Sequence, residues 1–311
     1  MTDLAPMKSA LRLVGEDPGR ALGPESAHLV AYGHDLISQA EVPGLSMQVA
    51  SGAGGIRARI QVEAGARIPR PVHLCFGLFQ RHGTQDIDLE LRLGPGAQAT
   101  FWSHCLFTQA ESARHSMRAR VDIAEDASLT YQEAHYHGAS GGIEVRPRGV
   151  IRLGPRARYL ADFSLVQGRV GRLDVDYEVD VGAGAVAELT SKVYGHGSDH
   201  IRIREVVRLN GERAHGLIRS RIAADGEAVA EVLGVTEGNA AYARGHLDCL
   251  EVVRERARVS ASPEVRVSHP LAKVTHEAAI GSVDHHQLET LMSRGVAPEE
   301  AVDVIVRGML R

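Results

Sequence analysis

The stretch GRLDVDYEVDVGAGAVAELTSKVYGHGSDHIRIREVVRLNGERA, residues 171–214, decides the fold of this 311-residue chain. Apolar side chains occupy nearly every second position in two runs within it, Leu173–Val181 and Ile201–Leu209, with Arg, Asp and Glu between them. Such period-two alternation predicts β-strands with one buried face and one solvent-exposed face. The two runs are separated by a turn at Gly184-Ala185, and the quoted stretch ends at a similar turn, Arg213-Ala214.

The same pairing of a turn residue with alanine recurs along most of the chain. The turns are Gly65-Ala66, Gly96-Ala97, Asp126-Ala127, Arg156-Ala157, Gly184-Ala185, Arg213-Ala214 and Asn239-Ala240, which gives alanine-to-alanine steps of 31, 30, 30, 28, 29 and 26 residues. A fixed period indicates an array of stacked units, and the lack of helical spacing argues against leucine-rich, tetratricopeptide and ankyrin repeats. We therefore predict an all-β core that forms a stacked β-helix, in which each repeat buries its apolar face against its neighbours.

Three segments follow from this pattern. Residues 1–45 precede the regular repeat and form a partly helical lead, with short helices expected within Lys8–Val14 and Ser26–Gln39. Residues 46–267 form the β-helix core. Residues 268–311 form a C-terminal segment with two helices, expected near Asp284–Arg294 and Pro298–Leu310 from their capping residues and their apolar spacing.

Composition excludes several classes of protein. The net charge is −4 with basic and acidic residues interspersed, which gives no electrostatic footprint for nucleic acid or an anionic membrane. The first twenty residues lack the apolar run of a secretory signal, and no apolar stretch is long enough to span a bilayer, so we expect a cytoplasmic protein. The three widely spaced cysteines, Cys75, Cys105 and Cys249, are then free thiols or metal ligands rather than a disulfide framework.

The C-terminal segment contains three ordered blocks of a known signature. They are HPLAKVTHEA at His269–Ala278, DHHQL at Asp284–Leu288 and RGVAPEEA at Arg294–Ala301. Together they resemble the C-terminal signature of the SufB/SufD family, the scaffold proteins of the SUF iron–sulfur cluster assembly system.

This resemblance implies a right-handed parallel β-helix and a non-catalytic scaffold that holds a transient, labile iron–sulfur cluster. It implies a SufC-like ABC ATPase as partner. No P-loop occurs in this chain, so any nucleotide would bind to another subunit. It also implies a homodimer, or a heterodimer with a second β-helix subunit. The ATPase would bind the apolar stripes of the two C-terminal helices, which contain Leu288, Leu291, Val302, Ile305 and Val306. Capping the open end of the β-helix is the alternative role for these helices.

The resemblance further implies cluster ligands near the C-terminus. His276 and Glu277 match the His-Glu pair of the signature, and Cys249 lies near the end of the repeat region. The cysteine usually placed at the SufB assembly site falls some nine residues after Cys249, near Arg258. This departure leaves two alternatives, a compact ancestral-type SufB or a SufD-like structural partner without cluster ligands of its own.

A second group of candidate ligands lies in the middle of the chain. Cys105 and His135 each follow a turn alanine by eight residues, and His73 and His104 each follow one by seven. If one repeat makes one coil, residues at equal positions stack about 4.8 Å apart. Glu133, His135 and His137 share one strand face by alternation. Thiolate, imidazole and carboxylate ligands suit iron, so His104, Cys105, Glu133 and His135 form a candidate metal site.

A β-helix enzyme that acts on polysaccharide, such as a lyase, is the remaining alternative. Such enzymes are normally secreted and use aromatic platforms, whereas this chain has a single tryptophan and 4% aromatic residues. Composition therefore argues against this class.

Overall fold

The computed structural model describes residues 3–310, which form a two-sheet β-solenoid with helices at both chain ends. The helices are α1 (Ala5–Leu13), α2 (Pro18–Ala21), α3 (His285–Ser293) and α4 (Pro298–Met309). The strands are β1 (His28–Tyr32), β2 (Asp35–Ala40), β3 (Leu45–Gly52), β4 (Gly55–Val62), β5 (Val72–Gly77), β6 (His82–Leu93), β7 (Gln98–Phe107), β8 (Ser112–Ile123), β9 (Ser128–His137), β10 (Ile143–Leu153), β11 (Arg158–Gln167), β12 (Gly171–Val181), β13 (Val186–Gly195), β14 (His200–Leu209), β15 (His215–Ala224), β16 (Val229–Gly238), β17 (Arg244–Val253), β18 (Arg258–Val267) and β19 (Lys273–Gly281).

Successive strands alternate between two sheets. Sheet I contains β2, β1 and the odd-numbered strands from β5 to β19, and sheet II contains β3 and the even-numbered strands from β4 to β18. Apart from the β1–β2 and β3–β4 hairpins, neighbouring strands in both sheets run parallel. One even-numbered strand, one odd-numbered strand and the two connections that follow them make one coil of about thirty residues. The predicted stacked β-helix is confirmed, and one sequence repeat is one coil.

The alanine turns are aligned down the solenoid because each buries a methyl group where the chain passes from sheet II to sheet I. Ala97, Ala127, Ala157, Ala185 and Ala214 are all at most 1% exposed. The preceding residue has a positive φ in each of these turns, and its N–H donates to a carbonyl of the next coil, as Gly184 N does to Glu212 O at 2.8 Å.

The seventh turn differs from the prediction. Arg244 is the register partner of His215, so Ala243 is the stacked alanine and Ala240 is not. Tyr242, with φ of 60°, takes the left-handed position before it. The coil is therefore 29 residues long rather than 26. The prediction failed because Asn239-Ala240 has the typical turn composition, whereas tyrosine is an unusual residue for a left-handed position.

A shift in strand register also separates His73 and His104, which the spacing predicts at equivalent positions. Arg67 pairs with Gln98, but five residues later Val72 pairs with Phe101, so the first coil contains two additional residues. Pro69 and Pro71 lie in this interval, and proline cannot donate to a strand ladder, so regular pairing resumes only at Val72. Consequently His104 pairs with Cys75, and His73 does not occupy the predicted equivalent position.

The N-terminal segment is more extended than predicted. Ser26–Gln39 does not contain a helix; it forms β1 and most of β2, and β1 adds to sheet I beside β5. Alternating burial explains this outcome, since Leu29 and Ala31 enter the core between the sheets while Val30 faces α1. The solenoid therefore begins before residue 46. The hairpins that carry β2 and β3 close this end of both sheets.

The C-terminal end of the solenoid is open. β19 extends the strands to Gly281, beyond the predicted core boundary at residue 267. Across residues 3–310, no strand pairs with the free edges of β18 and β19. Val267 and Ile280 on these strands are 51% and 46% exposed. The two predicted helices follow, and α4 packs on the outer face of sheet I with Val306 and Leu310 against Tyr194, Ala223 and Val252.

Candidate functional site

Polar side chains point into the otherwise apolar space between the sheets on β7 and β9. Cys105 and His135 are direct register partners, and Glu133 lies two residues before His135 on the same face. All three are at most 4% exposed. His135 Nε2 lies 2.9 Å from Glu133 Oε1, and the Tyr177 hydroxyl donates to Glu133 Oε2 at 3.1 Å. The expected approach of Cys105, Glu133 and His135 is therefore present in the structure.

His104 does not join this group. It is adjacent to Cys105 on β7, and consecutive strand residues point to opposite faces, so its side chain lies outside the solenoid interior. There it stacks on His73, with ring centroids 5.4 Å apart and His73 Nδ1 3.2 Å from His104 Nε2. The expected set of four residues is therefore incomplete. His104 lies on the outer face of sheet I, whereas Cys105, Glu133 and His135 lie on its inner face.

His115, on β8 of sheet II, takes the place expected for His104. Its Nε2 lies 3.7 Å from Cys105 Sγ, and ligand atoms of Cys105, His115 and His135 all lie within 4.8 Å of one another. The sequence pattern did not predict His115 as a member of this group. The available signal was the alternation of Ala113, His115 and Met117, which places His115 on the buried face of its strand.

Fixed hydrogen bonds determine which nitrogen of His115 is free. Gln85 Nε2 donates to the Gly33 carbonyl at 2.9 Å, so Gln85 Oε1 faces His115 Nδ1 at 3.0 Å. Because an amide oxygen only accepts, Nδ1 of His115 carries the proton and Nε2 presents its lone pair toward Cys105. Burial lowers the pKa of His115 and that of His135 to about 3, so both rings are neutral near neutral pH. Burial also raises the pKa of the Cys105 thiol.

The C-terminal candidates lie on the last strands of sheet I. Cys249 on β17 faces the interior, is 3% exposed and pairs with Ala278 of β19. His276 pairs with Leu247, so it has the same inward parity as Cys249 but lies two residues away along the strand. Glu277 has the opposite parity, and its Oε1 lies 3.8 Å from Nε2 of His246 on the outer face. The chain therefore aligns His276, and not Glu277, with the face that carries Cys249.

The apolar residues of the C-terminal helices are divided between two surfaces. Val306 is fully buried against the solenoid, and Val302 packs beside it in the same cluster. Leu291 and Ile305 instead line an open groove between α3, α4 and β17, together with Leu250 and the half-exposed Val304. Leu288 is half-buried on α3. The predicted stripe thus both covers sheet I and leaves an apolar groove.

Comparison with known proteins identifies the family of the chain. The sequence profile described as "SUF system FeS cluster assembly, SufBD core domain" matches residues 83–309. The chain belongs to the SufBD family. An iron–sulfur cluster assembly SufBD family protein of Methanocaldococcus jannaschii is 34% identical over 308 residues, covering 99% of this chain and 98% of that relative. Another, from Pyrococcus horikoshii, is 32% identical over 288 residues, covering 93% and 88%.

Membership of the SufBD family associates the chain with iron–sulfur cluster assembly. The β-solenoid predicted from the repeat and from the C-terminal signature is confirmed as well. Within residues 3–310, no helix is long and apolar enough to cross a membrane.

Proposed function

We propose that this SufBD protein is a non-catalytic scaffold on which an iron–sulfur cluster is assembled, together with a SufC-like ABC ATPase. The observation that carries the proposal is the open terminal coil, where inward-facing Cys249 and His276 lie beside unpaired strand edges. A thiolate and an imidazole are suitable iron ligands, and a mixed ligand set favours a cluster that can be passed on.

Dimerisation through this end would complete the proposed site. β18 and β19 present unpaired backbone N–H and C=O groups together with exposed valine and isoleucine side chains. Long unprotected edge strands are templates for pairing with another chain. A second β-solenoid, identical or related, would cover these edges and supply further ligands from its own terminal coil. The cluster would then lie between two subunits.

The groove between α3, α4 and β17 is the proposed docking surface for the ATPase. Ile305 is an informative residue because it lines the groove, whereas Val302 packs against the solenoid itself. We expect Ile305→Asp to abolish co-purification of the ATPase without lowering the melting temperature, since burying an unpaired carboxylate in an interface costs several kcal/mol. Val302→Asp is the matched control and should lower stability. Retained ATPase binding by Ile305→Asp would reduce the helices to caps of the solenoid.

A SufD-like partner without its own cluster ligands is the second candidate function. Burial of Cys249 favours it, because desolvation raises the pKa of the thiol and so disfavours the reactive thiolate. In this case the chain would complete a heterodimer, and a second β-solenoid subunit would hold the cluster.

Anaerobic reconstitution of the ATPase complex with iron and sulfide separates the two functions. A scaffold should acquire an oxygen-sensitive visible absorption, and Cys249→Ser and His276→Ala should each lower the bound iron and sulfide severalfold. Glu277→Ala is the matched control, since Glu277 faces away from Cys249, and it should have a smaller effect. Equal cluster content in the parent, Cys249→Ser and His276→Ala proteins would contradict the proposed site.

A further inference from the structure

The group of Cys105, His115 and His135 lies far from the open coil. Five strand spacings of sheet I separate β7 from β17, and at about 4.8 Å each they place Cys105 and Cys249 about 24 Å apart. The proposed scaffold function does not use this buried group. Its geometry therefore calls for a separate explanation.

We propose that Cys105, His115 and His135 bind a single divalent metal ion of the zinc type inside the solenoid, apart from any assembled cluster. Zinc bonds of about 2.3 Å to sulfur and about 2.0 Å to nitrogen, at tetrahedral angles, place the two ligand atoms about 3.5 Å apart. Cys105 Sγ and His115 Nε2 are 3.7 Å apart, close to that value. All three ligand atoms also fall within 4.8 Å of one another, which suits one ion.

Each of the two imidazoles has an oxygen atom beside one of its ring nitrogens. Gln85 Oε1 accepts from His115 Nδ1, and Glu133 Oε1 lies 2.9 Å from His135 Nε2. His135 Nδ1 is left buried without a hydrogen-bond partner among residues 3–310. Metal-binding histidines characteristically give one ring nitrogen to an oxygen acceptor and the other to the ion. Both histidines here have the oxygen partner that this arrangement requires, and the partner of His135 is a carboxylate.

A simple thiol–imidazole hydrogen bond is the other explanation of the short Cys105–His115 contact. It satisfies His115 Nε2, but it leaves the buried His135 Nδ1 unpaired, at a cost of about 1–3 kcal/mol. A metal ion would satisfy both nitrogens and the sulfur together. Three protein ligands leave a fourth coordination position for water or another small ligand, the pattern of an open zinc site.

The surroundings would hold such an ion tightly. Phe107 lies with its ring centroid 5.1 Å from that of His115, and Phe163 lies 5.1 Å from His135. Phe76 is also buried in this core, beside His115. Because aromatic rings surround the site and every ligand is buried, the ion is expected to enter during folding and to exchange slowly.

The test uses the whole chain produced in medium supplemented with Co²⁺, a spectroscopic substitute for Zn²⁺. The parent should contain one Co²⁺ per chain by elemental analysis, with a sulfur-to-cobalt charge-transfer band and the visible bands of a four-coordinate ion. Cys105→Ala should lose the charge-transfer band, and His115→Ala should lower the metal content severalfold. Cys75→Ala is the matched control, a buried cysteine on the neighbouring strand that faces away from the site, and it should retain both signals.

Cys249→Ala keeps this proposal distinct from the cluster site, because it should leave Co²⁺ binding unchanged even where it weakens the cluster. Circular dichroism identifies any variant that fails to fold. The parent spectrum alone still decides the matter in that case, since a parent without a sulfur-to-cobalt band would overturn the proposal. Loss of Co²⁺ in Cys249→Ala with retention in Cys105→Ala would overturn it equally.

Discussion

Replacement of Glu205 by glutamine should remove a pH-dependent loss of stability. Glu205 lies on β14 and points into the solenoid interior, where Ser191 Oγ donates to its Oε1 at 2.7 Å. Oε2 has no partner among the described residues. Burial raises the pKa of this carboxyl group from 4.5 to about 7, because the charged form is poorly solvated between the sheets.

The magnitude follows from the size of that shift. One pKa unit corresponds to about 1.4 kcal/mol, so a shift of about 2.5 units corresponds to about 3 kcal/mol. The folded state keeps the proton between the unfolded and folded pKa values, where the unfolded state has released it. The stabilisation is therefore fully present below the unfolded pKa and is lost as the pH rises through about 7.

Denaturant unfolding monitored by circular dichroism, between about pH 5 and about pH 8, measures this effect. Glutamine is nearly isosteric, can still accept from Ser191 and stays neutral. The stability of Glu205→Gln relative to the parent should therefore rise by about 3 kcal/mol across that range. Glu231→Gln, an exposed glutamate on β16, controls for the loss of one carboxylate. A relative stability that does not change with pH, or that falls, would refute the reasoning.

Two further predictions concern the solenoid itself. Ile280→Lys should shift the protein or its complex toward single β-solenoid subunits in light scattering, because it places a charge on a half-exposed, inward-facing side chain at the open terminal coil. Leu13→Lys, at an exposed position of α1, should not change the mass, and equal masses for both variants would argue against the terminal-coil interface. Gly226→Ala should lower the free energy of unfolding by about 1–3 kcal/mol, since Gly226 has a φ of +65° and an added Cβ would lie 2.9 Å from Gly197 Cα. Gly281→Ala is the control, because no atom lies within 4 Å of its added Cβ. Equal stability of the two variants would contradict the stacked-turn geometry.

The sequence predicted the features of this fold that depend on short-range periodicity. Alternation along Leu173–Val181 and alanine at the turns indicated strands, coils and the solenoid, because one buried face and one buried methyl group recur in every unit. The register was harder to predict. Two additional residues in the interval that contains Pro69 and Pro71 displaced His73, and Tyr242 took a left-handed position usually held by glycine or asparagine.

The candidate site was only half predictable for a related reason. Cys105 and His135 belong to one sheet, so equal spacing from a turn brought them together correctly. His115 contacts Cys105 across the interior from the other sheet. The position of a residue within the repeat does not predict which residue of the opposite sheet it faces. His104 is next to Cys105 in the sequence, but adjacent strand residues point in opposite directions, so this proximity does not bring its side chain into the site.

The aligned alanine turns have a consequence for how members of such a family can change length. Successive stacked alanines from Ala127 to Ala243 are separated by 30, 28, 29 and 29 residues, so each coil is nearly interchangeable with the next. Gaining or losing one entire coil leaves every remaining ladder intact, and it moves the terminal coil relative to Cys105 by a single strand spacing of about 4.8 Å. The distance between the Cys105 group and the terminal coil can therefore change in discrete steps, while the residues at both places are preserved.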